Sequence, residues 1–450
     1  KFSRFVAETL MILAADLGST NFKTAIFSAD GRRLGQGSLP LPYEIHTNSV
    51  SELSPAVVAH TFDAAILAAL DSAGVGASEV ECAAITSQAQ TFCVIDQEGA
   101  PSGPMIGWAD DRGRSEAAEL QAILGSELHG VTGWPGVSPG LLLSKSLWWK
   151  NHHQLRAGHK FATLPSFLAL RLGAPLVLDR NLAAMTGLFS IPENVWWPAA
   201  LQAVGWDAER FGKVVETGAR VPLTHNPQNS VLPNLHSVVF AGNDHTAGAV
   251  GCECSEHRSV LTLGTAGVFY RFAGTQPGPY SVDGLWGPYP GGGFYEARFI
   301  AHACSALDWA DNFLFGSVDS PRFVEAAKLA PAGSGGTKFF PERWGTDNAW
   351  NRRGRREEMA RAVLEGITES LYDLASPFLK SIPPQSQHEI LVLGGGSRLD
   401  FWVQMLADRL DSPLLRSKTD GLLGAARLAG ADFSTASSEL EQRFHPRNSH

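Results

Sequence analysis

Twice along this chain an apolar strand runs into a short turn of Gly, Ser or Thr and emerges as a second strand. The first instance is Met11–Asp16, which ends on an acid, then Leu17-Gly18-Ser19-Thr20-Asn21, then the alternating run Phe22–Asp30. The second is Ser259–Leu263, then Gly264-Thr265-Ala266-Gly267, then Val268–Phe272. A chain of 450 residues holds two or three domains at about 100–200 residues each. One such unit per half therefore predicts an α/β protein with two halves of similar build. No short period recurs, which excludes a solenoid.

The elements around the two units follow from local signals. Asp30-Gly31 is a hairpin turn into Arg32–Leu39, so the first unit extends to a three-stranded antiparallel meander. Ser54-Pro55 opens a helix that Gly74 stops. Glu81–Ser87 and Thr91–Asp96 read as buried strands, and the Pro-rich stretch Val221–Pro233 reads as a connector. Ser237–Ala241 is a strand leading into Gly242-Asn243-Asp244-His245 and a small-residue helix. Glu357–Leu379 has helical periodicity, Ile390–Leu393 is a short strand running into Gly394-Gly395-Gly396-Ser397, and Leu399–Leu410 and Gly421–Ala429 are helical. Leu285–Phe294 and Ala330–Gly354 read as irregular. The tryptophan pairs at Trp148-Trp149 and Trp196-Trp197 read as core packing.

Composition narrows the function classes. With 44% hydrophobic and 18% charged residues the chain buries a core and is not disordered. A net charge of −9 without a basic stripe points away from nucleic acid. Five cysteines without a CxxC pair form no disulfide framework and suit a reducing compartment. No window approaches about 18 uninterrupted apolar residues, so no membrane span is expected and a cytoplasmic location is. Residues 1–10 and 431–450 read as tails. The first ten lack the apolar core of a signal peptide and look like an added or mis-set start.

Four segments could carry chemistry. Asp16 through Asn21 sets an acid at a strand end before a turn whose N–H groups and hydroxyls can face an anion. The alternative is an ordinary hairpin turn. Gly264-Thr265-Ala266-Gly267 repeats that logic. Gly394-Gly395-Gly396-Ser397 lies between an apolar strand and a helix without polar padding, which favours binding of a base or phosphate over a flexible linker. Asp244, at a strand end, can take a proton from a substrate hydroxyl, or it can cap the helix that follows. His245 reads as a packed histidine. The chain has no GxxxxGK[ST], no GxGxxG after a strand and no HExxH. Cys252, Cys254 and His257 lack a fourth zinc ligand. Gly136-Val137-Ser138-Pro139-Gly140 matches GxSxG, but Pro139 has no N–H for an oxyanion hole.

Taken in order, these segments resemble the FGGY family of carbohydrate kinases from about Met11 to Gly430. Asp16-Leu17-Gly18-Ser19-Thr20-Asn21-Phe22-Lys23 is similar to the family's first phosphate motif, and Leu263–Gly267 to its second. Trp108-Ala109-Asp110-Asp111-Arg112 is similar to a W-x-D-x-R segment and Lys145–Trp149 to a K-L-x-W helix. Asn181–Phe189 is similar to SxASxTxLF, and Gly242–Gly251 to the motif that carries a catalytic Asp. Arg361–Gly366 and Gly394–Ser397 are similar to the late helix and the adenosine motif. The substrate signatures differ. Ala89-Gln90-Thr91 stands where xylulokinases have Met-His-Gly, glycerol kinases carry Arg-Glu at Ala89-Gln90, and the Gly-Glu-Arg loop is missing or cut short around Pro341–Gly354.

The resemblance implies two ribonuclease-H-like domains of the actin-like ATPase type flanking a cleft. It places sugar binding and the first phosphate motif in 11–241 and nucleotide binding in 242–430. It implies ATP and Mg²⁺ as cofactors and a sugar or polyol as substrate, with a ketopentose such as xylulose expected. Its residue assignments are Asp244 as catalytic base and Asp16 toward the metal. Gly18, Ser19, Thr20, Asn21, Lys23, Gly264, Thr265, Ala266, Gly395, Gly396 and Ser397 go to the nucleotide, and Gln88, Gln90, Trp108 and Asp110 to the sugar. A binding or regulatory protein on the same fold is the alternative. A chaperone ATPase would need a longer C-terminal part. The sequence leaves a homodimer open.

Overall fold

The computed structural model describes residues 11–47, 49–154, 156–382, 388–433 and 440–447. Among these, two compact units separate. The first holds the residues up to Gly251, Ala273–Tyr295 and the stretch that begins at Gly421. The second holds Cys252–Phe272, Glu296–Asp420 and residues 440–447.

In the first unit Met11–Leu17, Asn21–Phe27 and Arg33–Pro40 form the antiparallel meander expected from the two turns. Val80–Ser87 lies parallel to Met11–Leu17 on its other side, and Ser237–Asn243 lies parallel to Val80–Ser87. Arg220–Pro222 completes this six-stranded sheet. The side chains of Met11–Leu17 alternate between two cores. Leu13 and Ala15 face one in which helix Pro55–Ala73 buries Val58, Phe62, Ala65, Ile66 and Ala69. Burying each large apolar side chain there contributes roughly 1.5–3 kcal/mol. Ile12 and Ala14 face the other core, with Leu422 and Ala425 of helix Gly421–Leu428. Both faces are covered, so Ile12–Ala15, Cys82–Ile85 and Val238–Ala241 are unbroken apolar runs. The tryptophan pairs pack as expected: Trp148, Trp149 and Trp197 are buried and Trp196 packs against their cluster.

The second unit repeats the plan. Arg258–Leu263 pairs antiparallel with Gly267–Gly274 and parallel with Glu389–Leu393, and Leu414–Ser417 lies parallel beyond that. Helix Arg356–Leu379 supplies Met359, Val363, Ile367 and Leu371 to its core. In both units a hairpin's first strand is flanked by a parallel strand, and a third parallel strand follows.

Three elements differ from the sequence expectation. Leu285–Pro288 is a short buried strand where a loop was expected, hidden in the sequence by its Gly and Pro neighbours. The stretch 330–354 contains three short 3₁₀ turns. Helix Asp244–Gly251 belongs to the first unit, so the boundary falls after Gly251 and not at Ala241. The cause is packing against a distant segment: a Cβ on Gly424 would lie 1.7 Å from the Ala247 carbonyl oxygen.

Candidate active site

The first unit gathers the candidate residues at the C-terminal ends of its three parallel strands. Register puts Leu17 opposite Ser87, and Ser87 opposite Asn243. At about 4.8 Å per strand, Leu17 and Asn243 stand roughly 10 Å apart. Asp16, Gln88 and Asp244 each sit one residue from this row. Side chains tie the ends together: Thr86 Oγ1 donates to the Gly242 carbonyl at 2.9 Å and Asn243 Nδ2 to the Ser87 carbonyl at 3.2 Å.

Asp244 is the first residue of its helix. The two readings of it divide on where the helix cap lies. Asn243 Oδ1 accepts the N–H of His245 at 3.1 Å, which is the bond an N-cap makes to the second helical residue. Asp244 Oδ1 accepts the same N–H at 2.9 Å. The cap position is thus held by Asn243, and Asp244 is a half-buried carboxylate at the strand end.

The turn Gly18–Asn21 is held from its carbonyl side. Gln88 N–H donates to Leu17 O at 3.0 Å, Gln88 Nε2 to Gly18 O at 3.2 Å, Tyr43 OH to Ser19 O at 3.0 Å and Leu41 N–H to Thr20 O at 2.8 Å. A Cβ on Gly18 would meet Asn21 O at 2.9 Å, so the turn closes this tightly only with glycine there. Lys23 is exposed and lies opposite Asp16 across the hairpin. Gln88 is buried, and its Oε1 has no hydrogen-bond partner among the described residues. Trp108 is 48% exposed.

Two residues assigned to the sugar are engaged elsewhere. Gln90 donates its Nε2 to the Met185 carbonyl, and its Oε1 accepts Leu142 N–H at 2.8 Å. Both ends of its amide therefore help fasten the helix Leu142–His152 to the loop. Asp110 is fully buried. It accepts Ser51 N–H at 2.9 Å and lies 2.8 Å from Arg112 Nη2, while Arg112 Nη1 reaches Glu52 at 2.7 Å. Asp110 is an anchor for Arg112, whose guanidinium stacks 4.4 Å from the Trp148 ring centre.

Lys145 joins these two loops. It is fully buried and donates to Gln90 O at 2.7 Å and Gly107 O at 2.8 Å. Burial pushes its ammonium down to about 7, against the pull of the Asp110 charge.

In the second unit Gly264, Thr265 and Ala266 form the turn after Arg258–Leu263. Its carbonyls are tied to the start of helix Cys304–Phe315: Cys304 N–H donates to Gly264 O at 3.0 Å and Ser305 Oγ to Thr265 O at 3.1 Å. Thr265 is exposed. Glu389–Leu393 ends beside this turn. Gly394 has φ 88°, and a Cβ there would strike Leu263 O at 2.5 Å.

The next three residues have distinct roles. Gly395 is exposed with nothing within 4 Å of where a Cβ would stand. Gly396 is buried, and its Cβ would meet Trp402 at 2.7 Å and Cys304 Sγ at 2.9 Å. Gly396 is therefore required as glycine by core packing on its Cα side. Ser397 is buried and donates its hydroxyl to Gly394 O at 2.7 Å, closing the loop upon itself. Of the adenosine motif, only Gly394 and Gly395 face outward.

Sequence reasoning missed Tyr43, Asn181, Asn243 and Lys145 as parts of this framework. Asn243 was accessible in principle, since Asn immediately before an acid at a helix start is a capping signal. Lys145 and Asn181 open two of the segments that carry the resemblance, but their partners 55 and 62 residues away are not readable there, and Tyr43, whose partner is 24 residues away, leaves no local signal.

Comparison with known proteins agrees with this geometry. The N-terminal domain of the FGGY family of carbohydrate kinases matches residues 11–251, and the C-terminal domain of that family matches residues 259–433. The chain is 27% identical over 445 residues to a xylulose kinase of Escherichia coli K12, covering 93% of this chain and 89% of that protein. It is 25% identical over 434 residues to an L-fuculokinase of E. coli O157:H7, covering 90% and 88%. Among solved structures, a xylulose kinase from Lactobacillus acidophilus superposes with TM-score 0.84 at 21% identity, covering 97% of this chain and 94% of that one. A Plasmodium falciparum glycerol kinase superposes with TM-score 0.82 at 18% identity, covering 98% and 94%. These two likenesses establish a shared fold.

Proposed function

The chain belongs to the FGGY family of carbohydrate kinases, and from that premise we propose how its own residues carry out ATP-dependent phosphorylation of a sugar hydroxyl. Asp244 is the base. It takes the hydroxyl proton as the sugar oxygen bonds to the γ-phosphorus and the bond to the leaving ADP oxygen breaks. The observation that carries this reading is the cap at Asn243: Asp244 shares the His245 N–H through its Oδ1 but is not needed as the cap.

The turn Gly18–Asn21, with Lys23, holds phosphate oxygens through its N–H groups, since its carbonyls are already engaged from behind. Gly264, Thr265 and Ala266 serve phosphate in the same way, and the exposed backbone of Gly394–Gly395 takes the nucleoside. Gln88 and Trp108 meet the sugar. The buried Gln88 Oε1 is an acceptor suited to a hydroxyl, and Trp108 offers a flat apolar face to the C–H side of a sugar. These groups suit a neutral polyhydroxyl compound, and a ketopentose such as xylulose is our reading of it, supported by the relationship to xylulose kinases.

Asp16 is the residue that would hold Mg²⁺ or its water shell. Among the described residues no three His, Cys, Asp or Glu cluster as a metal cage. A single hard carboxylate at a strand end fits an ion that keeps its waters and binds phosphate oxygens. When bound, that ion would neutralise charge on the transferring phosphoryl oxygens. The five cysteines are free, four of them buried, which fits a reducing cytoplasm.

A coupled assay of ADP release over ketopentoses, aldoses and polyols tests the reading. Turnover with xylulose above all others is expected. Preference for an acidic sugar would contradict the roles given to Gln88 and Trp108.

A further inference from the structure

We propose that Asn181 is a positioning residue for Asp244, a role that rests on reading Asp244 as the base. Strand Ser237–Asn243 leaves its regular pairing with Val80–Ser87 between Phe240 and Asn243. Such an irregularity re-aims the residues that follow and takes a backbone N–H out of the ladder. A buried N–H needs another acceptor. Asn181 provides it: its Oδ1 accepts the N–H of Asn243 at 2.9 Å. Gly242 makes the approach possible. It has φ 76°, and a Cβ on it would lie 3.0 Å from Asn181 Oδ1.

The asparagine is itself held from three sides. It is fully buried in the short helix Arg180–Met185. Its N–H donates to Asp179 Oδ1 at 3.0 Å and to Thr217 Oγ1 at 3.1 Å, and its Nδ2 donates to the Pro288 carbonyl at 3.0 Å. Asn243, so fixed, caps the helix on which Asp244 is the first residue. The chain of contacts runs from Asn181 to Asn243 and on to the helix start. Asn181 thus sets where the Asp244 carboxylate stands without touching the substrate. A hydroxyl can also accept from Asn243 N–H, so serine should serve here in part.

A double-mutant cycle tests this on the full chain. Asn181→Ala is expected to lower kcat about 10- to 100-fold, the cost of a misplaced catalytic group, with KM for sugar and ATP changed less than about threefold. Asn181→Ser should recover most of that loss. In an Asp244→Asn background, Asn181→Ala should change the residual single-turnover rate by no more than about twofold, because residues that act as one unit are not additive. Equal losses in both backgrounds would overturn the proposal, as would a KM effect without a kcat effect. Near-wild-type turnover of Asp244→Asn alone would instead overturn the reading of Asp244. If Asn181→Ala does not fold, Asn181→Leu, which keeps the side-chain size but removes the acceptor, carries the same cycle, and a kcat loss of equal size in both backgrounds overturns the proposal.

Discussion

Asn243 Oδ1 lies 3.1 Å from the N–H of His245 and caps the helix that Asp244 begins. Two neighbouring residues accept that N–H, Asn243 from the cap position and Asp244 from the first position of the helix, and they differ in setting. The amide caps and is buried, and the carboxylate beside it is half-exposed at the end of a buried strand. This difference makes the role of Asp244 separable by experiment from the stability of its helix.

The two glutamines after Val80–Ser87 should respond differently to the same change. Gln88→Leu removes a buried acceptor that has no partner among the described residues. Sugar KM should rise about tenfold, the expected loss for one hydrogen bond to substrate, and ATP KM should rise less, because the Nε2 bond that holds the phosphate turn at Gly18 O is lost as well. Gln90→Leu removes bonds to Met185 O and Leu142 N–H. It should lower the melting temperature, by about 1–3 kcal/mol in stability for the groups left unpaired. Steady-state kinetics and thermal melts of both variants check this. A Gln88→Leu enzyme with unaltered sugar KM would remove Gln88 from the substrate site.

Adjacent glycines in the second unit should separate in the same manner. Gly395→Val places its side chain in open space on the exposed loop. Nucleotide affinity should fall while the melting temperature stays near that of the parent. Gly396→Val drives a branched side chain into Trp402 and Cys304 and should cost about 1–3 kcal/mol or more through overpacking. Calorimetric titration with ATP, alongside thermal melts, reads both. Equal nucleotide affinity in Gly395→Val and the parent would return this loop to a structural role.

The carboxyl of Asp179 should leave a mark on the pH dependence of stability. It is fully buried and accepts Asn181 N–H, Leu182 N–H and Thr217 Oγ1, and burial pushes it up to about 6 from an ordinary 3.8. The folded chain therefore keeps a proton that the unfolded chain has lost between these values. Stability from this group is full below about pH 4 and declines as pH rises through 6, by about 3 kcal/mol in all. Asn caps helices about as well as Asp, so Asp179→Asn should fold. The difference in denaturation free energy between parent and variant should then change across pH 4–6.5 in the variant's favour. A constant difference would contradict a proton held by Asp179.

Much of this architecture was legible because its signals are local. Period-two alternation and Asp30-Gly31 specify the meander, and Pro55 and Gly74 bound the first long helix. Asp16 and Asp244 announce themselves as acids at the ends of apolar runs. What escaped depends on residues far away in sequence. Nothing near Gln90 or Asp110 reveals that Met185, Leu142, Ser51 and Arg112 bond to them. Three consecutive glycines look alike until Trp402 and Cys304 crowd one and solvent faces another. The unit boundary was misplaced because helix Asp244–Gly251 is claimed by Gly424, more than 170 residues later.

The central claim is that Asp244 takes the proton of the sugar hydroxyl. Asp244→Asn preserves shape and keeps an acceptor for His245 N–H, and Asn243 retains the cap. A general base contributes about 10²–10⁴-fold, so kcat should fall by at least about 100-fold. ATP affinity and melting temperature should stay near those of the parent. The measurement is kcat of Asp244→Asn under saturating sugar and ATP. A value near the parent's would contradict the assignment of Asp244 as the base.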